Sequence, residues 1–122
     1  MVFFVVDVNV EQLNKFAECL KEICPDAHIV LHCNPATAVA AAVKIKPDYY
    51  ITEAELGNTD GISLARVVKE KLRRVKICIM NDSSEYGLAA WQVHSEGYLL
   101  KPITTQKIRD DILWAAAPSL SS

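Results

Sequence analysis

Short apolar segments recur five times along the chain, and a stretch with helical periodicity follows each of them. The first segment, residues 2–6 (VFFVV), is wholly apolar, which is typical of a strand that is covered on both faces. The others lie at residues 28–33, 48–52, 75–80 and 98–100. Strands that alternate with helices predict a parallel sheet, and right-handed crossovers leave few topologies open.

These elements predict a three-layer α/β/α fold with helices on both faces of a five-stranded parallel sheet. The flavodoxin-like strand order 2-1-3-4-5 is the arrangement that we expect. Several helices carry start signals: Asn34-Pro35 pairs an N-cap residue with proline, and Thr104-Thr105 offers a cap for the last helix, which should reach about Ala116. The polar residues 81–84 are expected to cap a helix that runs to about His94.

The length of 122 residues indicates one domain, for which we expect residues 1–117, followed by a polar tail at residues 118–122. The net charge of −2 offers no basic field, so we expect this domain to bind no nucleic acid. No segment approaches the length of a membrane span and Met1 leads directly into a strand, which predicts a cytoplasmic protein without a signal peptide.

The four cysteines and three histidines show no metal-ligand spacing, and there is no C-x-x-C pair. Cys19, Cys33 and Cys78 lie within apolar patterns and Cys24 lies at a helix end, which predicts buried free thiols. The sequence therefore offers neither a disulfide framework nor a structural metal site of recognisable type.

Polar residues stand at the carboxyl ends of four of the predicted strands: Asp7, Glu53, Asn81 and Lys101. In an open α/β sheet the carboxyl ends of the strands share one edge, near the point where the strand order reverses. We expect the four side chains to meet there in an acidic pocket. The alternative is that strand ends are polar only because they emerge into solvent.

Three motifs resemble the receiver domain of bacterial response regulators: Asp7 after VFFVV, PDYYITEAEL with TDG closing the loop, and YLLKP. The resemblance covers essentially the whole chain, in order. The stretch SEYGLAA…VHSEGYLLKP is most similar to receivers attached to LytTR-type DNA-binding domains. The resemblance implies a signalling domain of a two-component or phosphorelay system rather than an enzyme.

The resemblance also implies roles for individual residues. In that family, an aspartate at the position of Glu53 accepts phosphate from a histidine kinase, and Asp7 matches the first of two acids that help to bind Mg²⁺. The main-chain carbonyl of Glu55 would be a further Mg²⁺ ligand. Lys101 matches the conserved lysine and precedes Pro102, which is typically joined by a cis bond. Tyr98 matches an aromatic switch position.

Three residues depart from the family pattern. Glu53 replaces the aspartate, Val8 replaces the second acid and Asn81 replaces a threonine or serine. Mg²⁺ requires oxygen ligands in near-octahedral geometry and phosphoryl transfer depends on charge neutralisation, so these changes predict an inactive site with no cofactor. Our hypothesis is that Glu53 pairs with Lys101 and imitates a signalling state without phosphate. The alternative is a decayed site in which Glu53 points into solvent.

The sequence therefore predicts a pseudo-receiver that acts through protein–protein contacts, as the input to a transcription regulator whose DNA-binding output domain lies outside this chain. The first alternative is an active, Mg²⁺-dependent phosphoacceptor. A distant alternative is a flavin- or nucleotide-binding protein, but the loop DVNVEQ after the first strand lacks the glycines of a phosphate cradle.

The family signals through the face formed by helix 4, strand 5 and helix 5, where we expect a homodimer or a protein partner. The aromatic and apolar residues of that region are Tyr86, Trp91, Val93, Tyr98, Ile108 and Trp114. For Trp91 and Trp114 we expect packing in the core or between helices. Tyr98 is expected to face outward as the switch ring.

Overall fold

The computed structural model describes residues 1–112 of the chain. Its strands are β1 (Val2–Val6), β2 (His28–His32), β3 (Tyr49–Glu53), β4 (Glu55–Leu56), β5 (Thr59–Asp60), β6 (Lys76–Asn81) and β7 (Gly97–Leu100). Its helices are α1 (Val10–Ile23), α2 (Pro35–Ile45), α3 (Gly61–Lys71), α4 (Gly87–Gln92) and α5 (Thr105–Asp111).

Five of these strands form one parallel sheet in the order β2-β1-β3-β6-β7. This is the predicted order 2-1-3-4-5 once the two short strands β4 and β5 are left out of the numbering, so the α/β fold class is confirmed. The antiparallel pair β4–β5 was not predicted. It consists of two residues on each side of a turn in which Gly57 has a φ of 63°, a left-handed conformation that suits glycine.

Successive residues of the central strands point to opposite faces of the sheet, and both faces are buried. On one face Phe3 stacks on its neighbour Tyr49, with ring centroids 4.7 Å apart, and α1 and α5 cover them. On the other face Phe4 stacks on Tyr50 at 5.6 Å, beneath α2, α3 and α4. Burial on both faces is the reason that β1 reads as a continuous apolar run.

The start of α4 differs from the prediction. Asn81 is the last residue of β6, and α4 begins only at Gly87, with Tyr86 at the N-cap position but without a side-chain hydrogen bond that caps the helix. The polar groups of residues 81–84 serve local turns instead, since Asn81 Oδ1 accepts from the Ser83 amide and Ser83 Oγ accepts from the Glu85 amide. Such side-chain contacts to the backbone compete with helix formation.

The prediction of buried thiols is right for Cys19 and Cys78 and wrong for Cys33, which is exposed because β2 ends one residue earlier, at His32. The last part of the predicted final helix, the side chain of Trp114, the domain boundary at residue 117 and the tail at 118–122 lie outside the described residues. Within residues 1–112, none of the helices combines the length and the apolar character that crossing a membrane requires.

Candidate functional site

Four neighbouring strands bring their polar residues to one edge of the sheet. Asp7 follows β1, Glu53 ends β3, Asn81 ends β6 and Lys101 follows β7. Asp7 and Asn81 are each only 2% exposed and Glu53 is 7% exposed. The structure therefore brings together all four predicted side chains; Asp7, Glu53 and Asn81 are buried, and Lys101 is partly buried.

Lys101 bridges the two acids. Its Nζ lies 2.8 Å from Asp7 Oδ2 and 2.8 Å from Glu53 Oε1. Its amide donates to the carbonyl of Asn81 at 2.9 Å, and the bond to Pro102 is cis, as the resemblance implies. Burial lowers the pKa of Lys101, but the hydrogen bonds and negative charges of Asp7 and Glu53 outweigh it and raise this pKa above its ordinary value.

The remaining carboxylate oxygens are also occupied by donors of the chain. Glu53 Oε2 accepts from Asn81 Nδ2 at 2.7 Å and from the Glu55 amide at 3.1 Å. Asp7 Oδ1 accepts from the Asn9 amide at 3.0 Å. Each of the four carboxylate oxygens of Asp7 and Glu53 thus receives at least one hydrogen bond from the protein itself. A buried ion pair needs such additional bonds to offset the cost of removing it from water.

The backbone after β3 explains how Glu53 is held. The Ala54 amide donates to the Met80 carbonyl, and the chain then returns through β4 and β5 until the Gly61 amide reaches the Ala54 carbonyl. A side chain at position 61 would collide with the main-chain carbonyl of Glu53, so this close approach requires glycine. The Asp60 carboxylate caps α3 beside it.

Two contributors to the site were missed by sequence reasoning. The first is the pair of backbone amides two residues after each acid, at Asn9 and Glu55. The only signal for them is that acids at strand ends often bond to the turn that follows. The second is the Glu55 side chain, whose Oε1 lies 3.3 Å from Asn81 Nδ2. The family pattern points only to the main-chain carbonyl of Glu55, not to its side chain.

Tyr98 does not face outward as predicted. Its hydroxyl donates to the Ser83 carbonyl at 2.6 Å, and its half-buried ring packs against the core on the side of α4. Since β7 pairs with β6 through Ile79↔Tyr98, the ring lies beside the turn that follows Asn81. The hydrogen bond therefore ties β7 to the segment between the site and α4.

The expectation for Trp91 is also wrong. This residue is 75% exposed on α4, and Leu88, one turn earlier, is 68% exposed. Val93 and Ile108 are buried and belong to the core instead of the surface. Tyr86 is partly buried against the same core as Tyr98. Helix α4 spans only six residues, and the sequence pattern did not reveal which of its sides faces the sheet.

A sequence profile described as the response regulator receiver domain matches residues 3–113. The chain belongs to this family. Its members are signalling domains of two-component systems, and the match covers all elements of the sheet and the four polar residues at its edge. The receiver domain described here therefore has the fold that the sequence motifs predicted.

Curated relatives and solved structures agree with this assignment. An uncharacterized response regulatory protein of Vibrio cholerae is 28% identical over 97 residues, which are 79% of this chain and 36% of that protein. The transcriptional regulatory protein BtsR of Salmonella typhi is 27% identical over 84 residues, which are 68% of this chain and 35% of that protein. This chain thus spans about a third of the length of these relatives.

Among solved structures, the receiver domain of AraT, a response regulator from Geobacillus stearothermophilus, superposes with a TM-score of 0.83. It is 19% identical, and the alignment covers 98% of this chain and 95% of that one. At this identity the likeness concerns the fold alone, and it supports the same sheet and helix arrangement.

Proposed function

We propose that this receiver domain signals without phosphorylation, because the Lys101 bridge and the surrounding donors already occupy its carboxylates. The observation that carries the proposal is that all four carboxylate oxygens of Asp7 and Glu53 receive hydrogen bonds from the chain. A carboxylate that attacks a phosphoryl group needs a free oxygen in line with the leaving group. In this arrangement Lys101 holds Glu53 Oε1, and Asn81 and the Glu55 amide hold Oε2, so neither oxygen is free of a donor.

The residues present fit Mg²⁺ poorly. Mg²⁺ takes six oxygen ligands at short distances, usually one or two carboxylates together with several waters. Here the Lys101 ammonium lies between the two carboxylates that would face the ion, and Val8 supplies no oxygen. Within residues 1–112, no three His, Cys, Asp or Glu side chains are grouped so that they could hold a metal ion. The proposed function accordingly involves no metal step.

The competing function is that of an ordinary Mg²⁺-dependent phosphoacceptor. The observation in its favour is that Asp7, the residue at the acceptor position and Lys101 converge as closely as such chemistry would require. Glu53 is one methylene longer than aspartate, however, and Asn81 brings an amide donor where the family has a hydroxyl. The two functions make opposite predictions for labelling with a phosphoryl donor.

Incubation with acetyl phosphate and Mg²⁺, followed by intact-mass spectrometry, tests the proposal. We expect no phosphorylated species from the wild type or from Glu53→Asp, because shortening the side chain leaves Val8 and Asn81 unchanged. The triple variant Val8→Asp/Glu53→Asp/Asn81→Thr, which restores the family pattern, serves as the matched control for reagent and detection. A phosphorylated wild-type species would refute the proposal and establish the competing function.

We further propose that the partner surface lies on α4 and the strand beside it, where Leu88, Trp91 and Leu100 are all exposed. Exposed apolar side chains that lie together mark protein interaction sites, and tryptophan is enriched at the centres of interfaces. The expected occupant is a second copy of this chain. Light scattering at several protein concentrations tests this, and a mass that remains that of the monomer at every concentration contradicts it.

We also propose that the chain is the input part of a transcription regulator. Two observations support this: the similarity to the transcriptional regulatory protein BtsR, and the resemblance of residues 84–102 to receivers of LytTR-type regulators. The DNA-binding function would belong to an output domain outside this chain. Sequencing the gene beyond codon 122 tests the proposal, and a reading frame without a DNA-binding domain on either side would contradict it.

A further inference from the structure

A second charged region lies away from the acidic site, on and after the carboxyl-terminal half of α3. Residues 66–76 contain six basic side chains and a single acid, Glu70. The basic residues are Arg66, Lys69, Lys71, Arg73, Arg74 and Lys76. The remainder of the chain holds seven of the 13 basic and 14 of the 15 acidic side chains. The chain therefore has a strongly basic segment, although its net charge is −2.

Two adjoining concavities open on this region. One, of about 530 Å³, lies between α3 and the end of α4 and is lined by Arg66, Lys69, Glu70, Arg73, Gln92, Val93 and His94. The other, of about 290 Å³, lies before the amino ends of β3 and β6 and is lined by Lys46, Pro47, Asp48, Leu72, Arg73, Arg74 and Val75. Arg73 borders both, and the two concavities together are called the basic groove below.

The arginines of the basic groove are available to a ligand. Among the described residues, Arg66, Arg73 and Arg74 have no carboxylate partner within 4 Å. All three are exposed. Lys69 differs, because its Nζ donates to the Val75 carbonyl at 2.6 Å and is held against the protein. Unpaired arginines present several donors to a carboxylate without first breaking a contact.

The floor of the basic groove is apolar. Leu72 lines it and is partly exposed, whereas Val93, Val75 and Pro47 are buried beneath the basic rim. A carboxylate-rich peptide that also carries apolar side chains can use both the rim and the floor. The phosphates of a nucleic-acid backbone could pair with the basic rim, but the backbone has no apolar group to contact the floor. The 14 acidic residues elsewhere in the chain would also repel an extended polyanion. The mixed lining therefore favours a protein segment.

We propose that the basic groove docks an acidic segment of a partner protein that contains apolar residues as well. The helical part of the basic segment, from Arg66 to Lys71, is roughly 7.5 Å long at the helical rise per residue, which matches two or three residues of extended chain. The inference does not rest on the proposed function. The groove at β3 and β6 lies at the amino ends of strands whose carboxyl ends form the acidic site.

Fluorescence polarisation with a labelled hexapeptide of four glutamates and two leucines tests this inference on the complete chain. We expect saturable binding that weakens as salt is raised, since exposed charges are screened. Arg66→Glu/Arg73→Glu should weaken binding about tenfold or more, because each surface ion pair contributes up to about 1 kcal/mol and each reversal also adds repulsion. Circular dichroism checks that the variant is folded.

The matched control is Lys15→Glu/Lys21→Glu, which changes the net charge equally but on α1, at the other face of the sheet. It should leave peptide binding within about twofold of the wild type. Equal losses in both double variants would show that only net charge matters and would overturn the inference. Tighter binding of a DNA duplex than of the peptide, or equal binding of the same peptide with glutamine in place of glutamate, would overturn it as well.

Discussion

The polar site at the carboxyl ends of the strands and the outer surface of α4 differ in how far their side chains are exposed to solvent. At the site, Asp7, Glu53 and Asn81 are almost completely buried, and each charge has partners from the same chain. On α4, Trp91 and Leu88 are largely exposed and contact little of the protein. One region is polar and closed, and the other is apolar and open.

This difference indicates whether the side chains of each region interact within the domain or remain available to a partner. Charged groups that satisfy one another inside the domain are costly to disrupt on one side and have little left for an external ligand. Apolar side chains that remain in water contribute little to stability and are available to a partner. Substitutions at the two places should therefore separate stability from association.

The largest effect is expected for Lys101→Met, which removes the cation and leaves Asp7 and Glu53 as two buried carboxylates facing each other. Removing one charged partner from a buried ion pair lowers the free energy of unfolding by roughly 3–5 kcal/mol. Urea unfolding followed by tryptophan fluorescence measures this loss, with Lys44→Met on the exposed face of α2 as the control. A loss below about 1 kcal/mol would mean that the site is not a closed, stabilising unit.

A smaller effect is expected on raising the pH, because deprotonation leaves the Lys101 amine in place as a neutral donor. The folded-state pKa of Lys101 is raised above 10.5, so its stabilising contribution is fully present below pH 10.5 and is lost as the pH rises through the folded-state pKa. The difference in unfolding free energy between wild type and Lys101→Met should therefore shrink above pH 10.5. A difference that stays constant up to the alkaline limit of folding would contradict this linkage.

The smallest effect on stability is expected for Trp91→Ala, since the side chain is exposed. The free energy of unfolding should change by less than about 0.5 kcal/mol, while self-association measured by light scattering should weaken about tenfold or more. Gln92→Ala, at the next exposed position of α4, is the control and should leave both quantities unchanged. A large loss of stability without any change in association would place Trp91 in the core after all.

Much of the fold and of the site was predictable from the chain alone. The wholly apolar β1 and the alternation of strands with helices indicated a parallel sheet, and the positions of Asp7, Glu53, Asn81 and Lys101 at strand ends indicated one shared edge. These predictions succeeded because they rest on patterns within single elements. The errors concern side-chain exposure: Trp91 on α4 and Cys33 were expected to be buried, and Tyr98 on β7 was expected to face outward.

The sequence by itself determined the order of the elements and the four side chains that meet at the edge of the sheet, because periodicity and strand-end polarity are local properties. Only the tertiary structure decided that Lys101 closes onto both acids, that backbone amides of Asn9 and Glu55 complete the site, and that Trp91 remains outside. These contacts join residues from different strands and turns. Their distances depend on how the whole sheet and its helices pack, which no single segment of the chain encodes.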